Sequence, residues 1–280
     1  MINGWKKEDP PSTKKLPVEI DLPEAIAKEE LKPGVSPLLV AVGQLVLIAF
    51  YFLLRIGEYT CKGKRNESKQ TTQFRMRDVT FFKKISGRLQ QLPRNAPDSD
   101  IMTADGVTLK LDNQKNGWKG VCIHQHANGH SFLCPTRTTA RLYCRIRRGP
   151  GADGDTFLSA YWDEKGRRKD VTDANVRQAI KNMGQILHYP TLKGIPIDRL
   201  DTHSLRGGGA NALSLAGYSD REIQKMGRWR GATFKEYISD QLSAFSEGMS
   251  TAMMTRFNFV NIEGGAWSDV TATTINTEYN

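Results

Sequence analysis

The sequence predicts a mixed, mainly α domain that carries a small antiparallel β-sheet. Three observations predict it. Leu38–Leu54 (LLVAVGQLVLIAFYFLL) is almost unbroken apolar sequence, the pattern of a helix buried on all sides. Strand-forming segments gather between residues 78 and 126, and two of them flank the turn-forming Asp112–Gly117. From Cys134 onward the apolar residues recur chiefly at helical spacing. At 280 residues the chain is long enough to bury a sizeable core.

Taken in order, residues 1–34 carry Pro10, Pro11, Pro17, Pro23 and Pro33 among Lys and Glu, and read as a polar tail or linker with one short helix over 23–31. A single domain is expected over residues 35–259. Its first element is a buried helix from Ser36 to Thr60, with Ser36-Pro37 as the cap and first-turn pair. Lys62–Gln73 is a basic loop. Asp78–Phe82 is a strand, and Val107–Leu111 with Gly120–His126 form a hairpin, with Ser86–Ala104 a loop-like insertion between them. Cys134-Pro135 opens a helix that runs to Arg147 and stops at Gly149–Gly154. Thr172 caps a helix over Asp173–Leu187, whose Val176, Ile180, Met183 and Leu187 share one face. Further helices are expected over 204–216, 220–226, 233–239 and 242–254, followed by a mobile, Thr-rich tail over residues 260–280.

Forty Lys and Arg against thirty Asp and Glu leave a formal charge of +10. A surplus of that sign favours polyanions, because each phosphate neutralised releases condensed counterions. Cys61, Cys122, Cys134 and Cys144 are too few for a disulfide scaffold, and nothing at the N-terminus resembles a secretory signal. The expectation is reduced thiols inside a cell, nuclear in a eukaryote and cytoplasmic or nucleoid-associated otherwise. Leu38–Leu54 is about the shortest length that spans a bilayer. It holds Gln44 and runs straight into Arg55 and Glu58, with no second apolar span, so a core helix is preferred to an anchor and no membrane partner is expected.

The most informative window is Asp201–Ile238, DTHSLRGGGANALSLAGYSDREIQKMGRWRGATFKEYI. His203 and Arg206 stand one helical turn apart and can serve one point. Gly207–Gly209 let another backbone or a ligand come close to that turn. Gly227-Arg228-Trp229 then precedes Tyr237, and upstream the apolar helix ends in Arg55-Ile56-Gly57-Glu58. Arginines suit a phosphodiester, since the planar fork pairs with two oxygens and stays charged at any working pH. Tyrosine is a legitimate covalent nucleophile once deprotonated or held beside cations. Each residue also has a plainer reading. Arg55–Glu58 is by itself a helical ion pair, His203 a core or capping residue, Tyr237 with Phe234 an aromatic stripe, and Lys115 a solvated turn lysine.

Together, H-x-x-R, a Gly-led short motif and then Tyr, preceded by an Arg box at the end of an apolar helix, resemble the tyrosine recombinase (phage-integrase-like) family over residues 35–259. The Gly-Arg-Trp variant and the Lys-bearing hairpin look most like recombinases of Crypton and DIRS-like mobile elements. The resemblance implies a DNA breaking-rejoining catalytic domain acting on double-stranded DNA, self-associated on it and using no cofactor or metal. By position it implies that Arg55 and Arg206 clamp the scissile phosphate, that Glu58 supports Arg55, and that His203 handles protons. It also implies that Lys115 (with Lys119 a rival) protonates the leaving oxygen and that Tyr237 attacks phosphorus. One position departs from the pattern. Nine residues before Tyr237 the family has His or Trp, whereas this chain has Arg228, with Trp229 one later.

Family members also carry an N-terminal clamp domain, so the resemblance implies either a clamp on another chain or a catalytically silent, domesticated DNA-binding module. A type IB topoisomerase shares the nucleophile chemistry and would relax supercoils without site preference. A further set, Cys122, His124, His126, His130 and Cys134, invites a zinc reading, but its spacing matches no zinc pattern. A half-buried or DNA-facing strand face is preferred.

Overall fold

The computed structural model describes residues 15–61, 72–111 and 120–229, with Gly231 and Lys235. The chain divides into two compact units, Met1–Ser239 and Asp240–Asn280, and every described residue lies in the first. The helices expected over 233–239 and 242–254, and the tail over 260–280, therefore fall outside the described residues.

The core is organised round α2 (Pro37–Tyr51). Ser36 caps it, its hydroxyl accepting from the Leu39 amide at 3.3 Å, and Pro37 takes the first turn, where no amide donor is required. Ala41 through Phe50 are all buried, because α1 (Asp21–Lys28), α5 (Pro135–Arg147) and α8 (Thr202–Leu215) pack round the helix. Among the described residues no helix is long and apolar enough to cross a membrane. The sequence reading of residues 1–34 as a linker fails for residues 15–34. Val18, Leu22, Ile26 and Ala27 are buried in the core, and α1 begins at Asp21, ahead of the expected helix.

α2 also stops earlier than expected. Instead of one helix over 36–60, the chain breaks after Tyr51 and resumes as α3 (Ile56–Tyr59). Leu53 sits in the left-handed region at φ 48. An apolar run with no Gly or Pro at the break gives no sequence warning of it.

The sheet is antiparallel in the order β2-β1-β3-β4, with β1 Val79–Ile85, β2 Arg88–Gln91, β3 Gly106–Leu111 and β4 Val121–His126. The hairpin read from the sequence is β3–β4, in register from Gly106↔His126 to Leu111↔Val121. Alternation turns Val79, Phe81, Val107, Leu109, Leu111 and Ile123 to the core. There Phe81 meets Tyr143 of α5 edge-on, ring centroids 5.4 Å apart. The insertion expected to be a loop holds β2 and the short α4 (Asp98–Met102). A second hairpin, β5 (Ala160–Trp162) with β6 (Arg168–Asp170), also went unread, because three-residue strands are too short to show alternation.

Three of the remaining helices match the reading closely, and a fourth was not read from the sequence. α6 (Asp173–Ile186) is capped by Thr172, and the unread helix, the four-residue α7 (Tyr189–Leu192), follows. α8 starts at the cap Asp201 and α9 (Asp220–Gly227) at the cap Ser219. Two glycines set how deeply α8 sits. A Cβ at Gly208 would overlap the Val18 carbonyl oxygen, and one at Gly209 the Phe50 carbonyl oxygen. The close approach expected of Gly207–Gly209 is thus made by backbone.

Candidate active site

The site is built on the break between α2 and α3. The left-handed turn at Leu53 takes its carbonyl out of any helical ladder and presents it as an acceptor. Arg55 then caps α3 rather than ending α2. Its amide donates to Glu58 Oε2 at 2.8 Å, and its Nη1 pairs with Glu58 Oε1 at 3.3 Å. Glu58 itself is wholly buried.

Two arginines from the other end of the described chain reach the same spot. Arg206 on α8 is 3% exposed; its Nη1 donates to the Leu53 carbonyl at 2.6 Å and its Nη2 to the Gly227 carbonyl. Its guanidinium carbon lies 4.3 Å from the centroid of the Trp229 ring, a cation–π stack. Arg228 is 2% exposed, and its Nη2 spans the Leu53 carbonyl at 2.9 Å and Glu58 Oε2 at 3.0 Å. Burial lowers the pKa of the Arg228 guanidinium; the Glu58 carboxylate opposes that shift and the Arg55 charge adds to it. Three guanidiniums thus surround one carboxylate and one carbonyl, leaving a surplus of positive charge suited to an anion.

The end of α9 explains how Arg228 and Trp229 come to face inward. The Trp229 amide donates to the Gln224 carbonyl at 3.0 Å and the Arg228 amide to the Lys225 carbonyl at 3.2 Å. That is a Schellman stop with Arg228, at φ 58, in the left-handed position usually given to Gly. Trp229 packs with Leu53, Ala210 and Ile223, and any side chain at Gly227 would overlap its indole.

Of the residues named from the sequence, the structure brings together Arg55, Glu58, Arg206, Arg228 and Trp229. His203 lies exposed on α8, one turn before Arg206. Lys115, Lys119 and Tyr237 lie outside the described residues; β3 and β4 precede and follow residues 112–119 in sequence. The Leu53 carbonyl and Gly227 went unread. A main-chain acceptor leaves no residue signature, though the Gly at the head of Gly-Arg-Trp was visible.

The cysteine–histidine set is divided among local roles. His124 Nδ1 lies 2.7 Å from Thr108 Oγ1, His130 Nδ1 accepts from the Phe132 and Leu133 amides, and Cys134 is buried as the cap of α5. Among the described residues no group of three or more His, Cys, Asp or Glu is placed to hold a metal ion.

No family model matches the chain, and no curated protein matches it. Solved structures do. The XerH site-specific recombinase bound to palindromic difH substrate, a post-cleavage complex, aligns with a TM-score of 0.51 at 13% identity, over 85% of this chain and 54% of that one. The fold is that of a tyrosine recombinase catalytic domain. The XerA recombinase aligns at 0.48 and 16% identity, over 89% of this chain and 67% of that one. The Tn1549 transposon integrase in complex with circular intermediate DNA aligns at 0.43 and 11%, over 87% and 68%. The chain spans about half the length of XerH. Within this tyrosine recombinase fold the helical body carries the arginine cluster, and β3 and β4 flank residues 112–119 in sequence.

Proposed function

We propose that the protein cuts and rejoins double-stranded DNA through a 3′-phosphotyrosine intermediate, with Tyr237 as nucleophile. The observation that carries this reading is that Arg55, paired with Glu58, and Arg206, bonded to the Leu53 carbonyl, are brought side by side by acceptors that Arg228 bridges. Cations held rigidly there stabilise the extra charge of a five-coordinate phosphorus without reorganising as it forms.

In the proposed reaction the Tyr237 phenolic oxygen bonds to phosphorus as the bond from phosphorus to the 5′-oxygen breaks. The phenolic proton leaves with the help of His203, and the departing 5′-oxygen takes a proton from Lys115. Arg55 and Arg206 hold the non-bridging oxygens. The energy of the broken ester is kept in the phosphotyrosine, so a 5′-hydroxyl reseals the strand without ATP. Self-association on DNA and, for a eukaryotic host, a nuclear setting belong to the same proposal. The narrower kinship with Crypton and DIRS-like elements rests on Gly227-Arg228-Trp229 and the Lys-bearing hairpin.

The test is trapping on nicked suicide DNA substrates. A protein–DNA adduct that survives denaturant and disappears in Tyr237→Phe is expected. Tight, salt-sensitive DNA binding with no adduct on any substrate would leave a silent DNA-binding module instead.

A further inference from the structure

Arg228 occupies the position where the family pattern has His or Trp, and its surroundings assign it a different task. It is 2% exposed, and its Nη2 is committed to the Leu53 carbonyl and to Glu58. Among the described residues its Nε and Nη1 are buried without an acceptor, and its described hydrogen bonds all run through one nitrogen that bridges two acceptors. Arg228 also accepts a left-handed backbone that Gly would take at no steric cost. The described contacts of this side chain therefore fall to the third nitrogen, and they are what offset the left-handed backbone.

That nitrogen ties two separate pieces of chain. One is the stop of α9, nine residues before Tyr237; the other is the turn from α2 into α3, where Arg55 begins its helix. With Arg228 turned inward, Trp229 beside it is also buried, and its ring lies over the Arg206 guanidinium.

We infer that Arg228 is a positioning residue, not a phosphate contact: it anchors the end of α9 to Glu58 and Leu53, and so sets Trp229 over Arg206. Trp229, rather than Arg228, is then the member of the pair that faces the reacting phosphate's arginine. This assignment rests on the strand-transfer reading above for its consequences, but the anchoring itself does not.

Three variants test it, in the full chain. Arg228→Met removes the bridge. Arg228→Gly removes the bridge while relieving the backbone. Arg228→Lys keeps the charge with a single point of attachment and stands in should Arg228→Met not fold. Each is measured for DNA binding as a function of salt, for single-turnover cleavage of a suicide substrate, and for hydrogen exchange across residues 220–229.

All three are expected to bind DNA with an unchanged salt slope and an affinity within about threefold of the parent, since the Arg228 charge is already paired with the buried Glu58 carboxylate. Cleavage is expected to fall about 100-fold or more, and exchange across 220–229 to quicken. In a double substitution with Glu58→Gln, the loss in cleavage is expected to be no greater than that of the worse single variant, as for residues acting as one unit.

A salt slope reduced by about one in Arg228→Met would mark a phosphate contact and overturn the inference. So would full cleavage in Arg228→Gly, which would mean the residue only ends a helix. Should the parent itself form no adduct, the strand-transfer reading fails. The anchoring is then decided by exchange alone: quickened exchange upholds it, unchanged exchange overturns it.

Discussion

Glu58 is the carboxylate on which the arginine cluster depends. It is fully buried, and it compensates Arg55 and Arg228 at once. Removing one partner of a buried pair costs about 3–5 kcal/mol, because the remaining charge is left unpaired out of water. Glu58→Gln keeps the volume and deletes the charge, so a loss of that order in denaturant unfolding is expected. A loss below about 1 kcal/mol would mean that the cluster is solvated in solution. His124 supplies a second test at this scale. Desolvation lowers its pKa, and His126 adds to the shift. A group whose folded pKa is depressed binds fewer protons folded than unfolded, so its contribution is complete above the unfolded pKa of about 6.5 and is lost as pH falls through the folded value. His124→Phe should therefore flatten the decline in stability below about pH 6.5, read from unfolding midpoints across pH. That Arg55, Glu58, Arg206, Arg228 and Trp229 lie together was suggested in the sequence by the family resemblance, since their residue types alone do not place them at one point. The inward direction of Arg228 was not, since it follows from a left-handed residue that nothing in the local composition announces.

Helix α8 is positioned by absence of side chain. Gly209 lets its backbone lie against the Phe50 carbonyl and the Leu53 side chain, and Arg206 projects from the preceding turn. Gly209→Ala would normally favour a helix by about 1 kcal/mol. Here the added methyl must push α8 away from α2, and overpacking of this kind costs about 1–3 kcal/mol. The expected outcome is a net destabilisation by thermal or denaturant melting, with cleavage reduced further than stability alone accounts for. Long amphipathic elements such as α5 and α6 were legible because periodicity accumulates over several turns. The break at Leu53 and the three-residue strands β5 and β6 were not, because their causes lie in packing rather than in any run of residues.

Across the whole molecule, residues 15–28 fasten the helical body together. The Val18 amide donates to the Ser204 carbonyl at 3.2 Å, and the Leu16 amide to the Arg199 carbonyl at 3.1 Å. The Tyr189 hydroxyl donates to Asp21 at 2.6 Å, and Lys193 pairs with the same carboxylate at 2.9 Å. Composition disguised this strap as linker, since its Pro, Lys and Glu outnumber the few apolar residues that point inward. Each of Val18, Leu22 and Ile26 is worth about 1.5–3 kcal/mol when buried. Deleting residues 1–28 should therefore abolish cooperative unfolding or depress the melting temperature steeply. A deletion that melts like the parent would return the segment to the status of a linker.

The acceptor shared by Arg206 and Arg228 is the Leu53 carbonyl, and a carbonyl belongs to every amino acid alike. No codon change deletes it. The centre of the cluster is therefore shielded from point mutation in a way that its arginines are not, and sequence drift at position 53 can exchange the side chain while the acceptor stays. It can be weakened only by altering the main chain itself, as when an ester is substituted for the amide that joins residues 53 and 54, which makes the carbonyl oxygen less basic without touching any side chain.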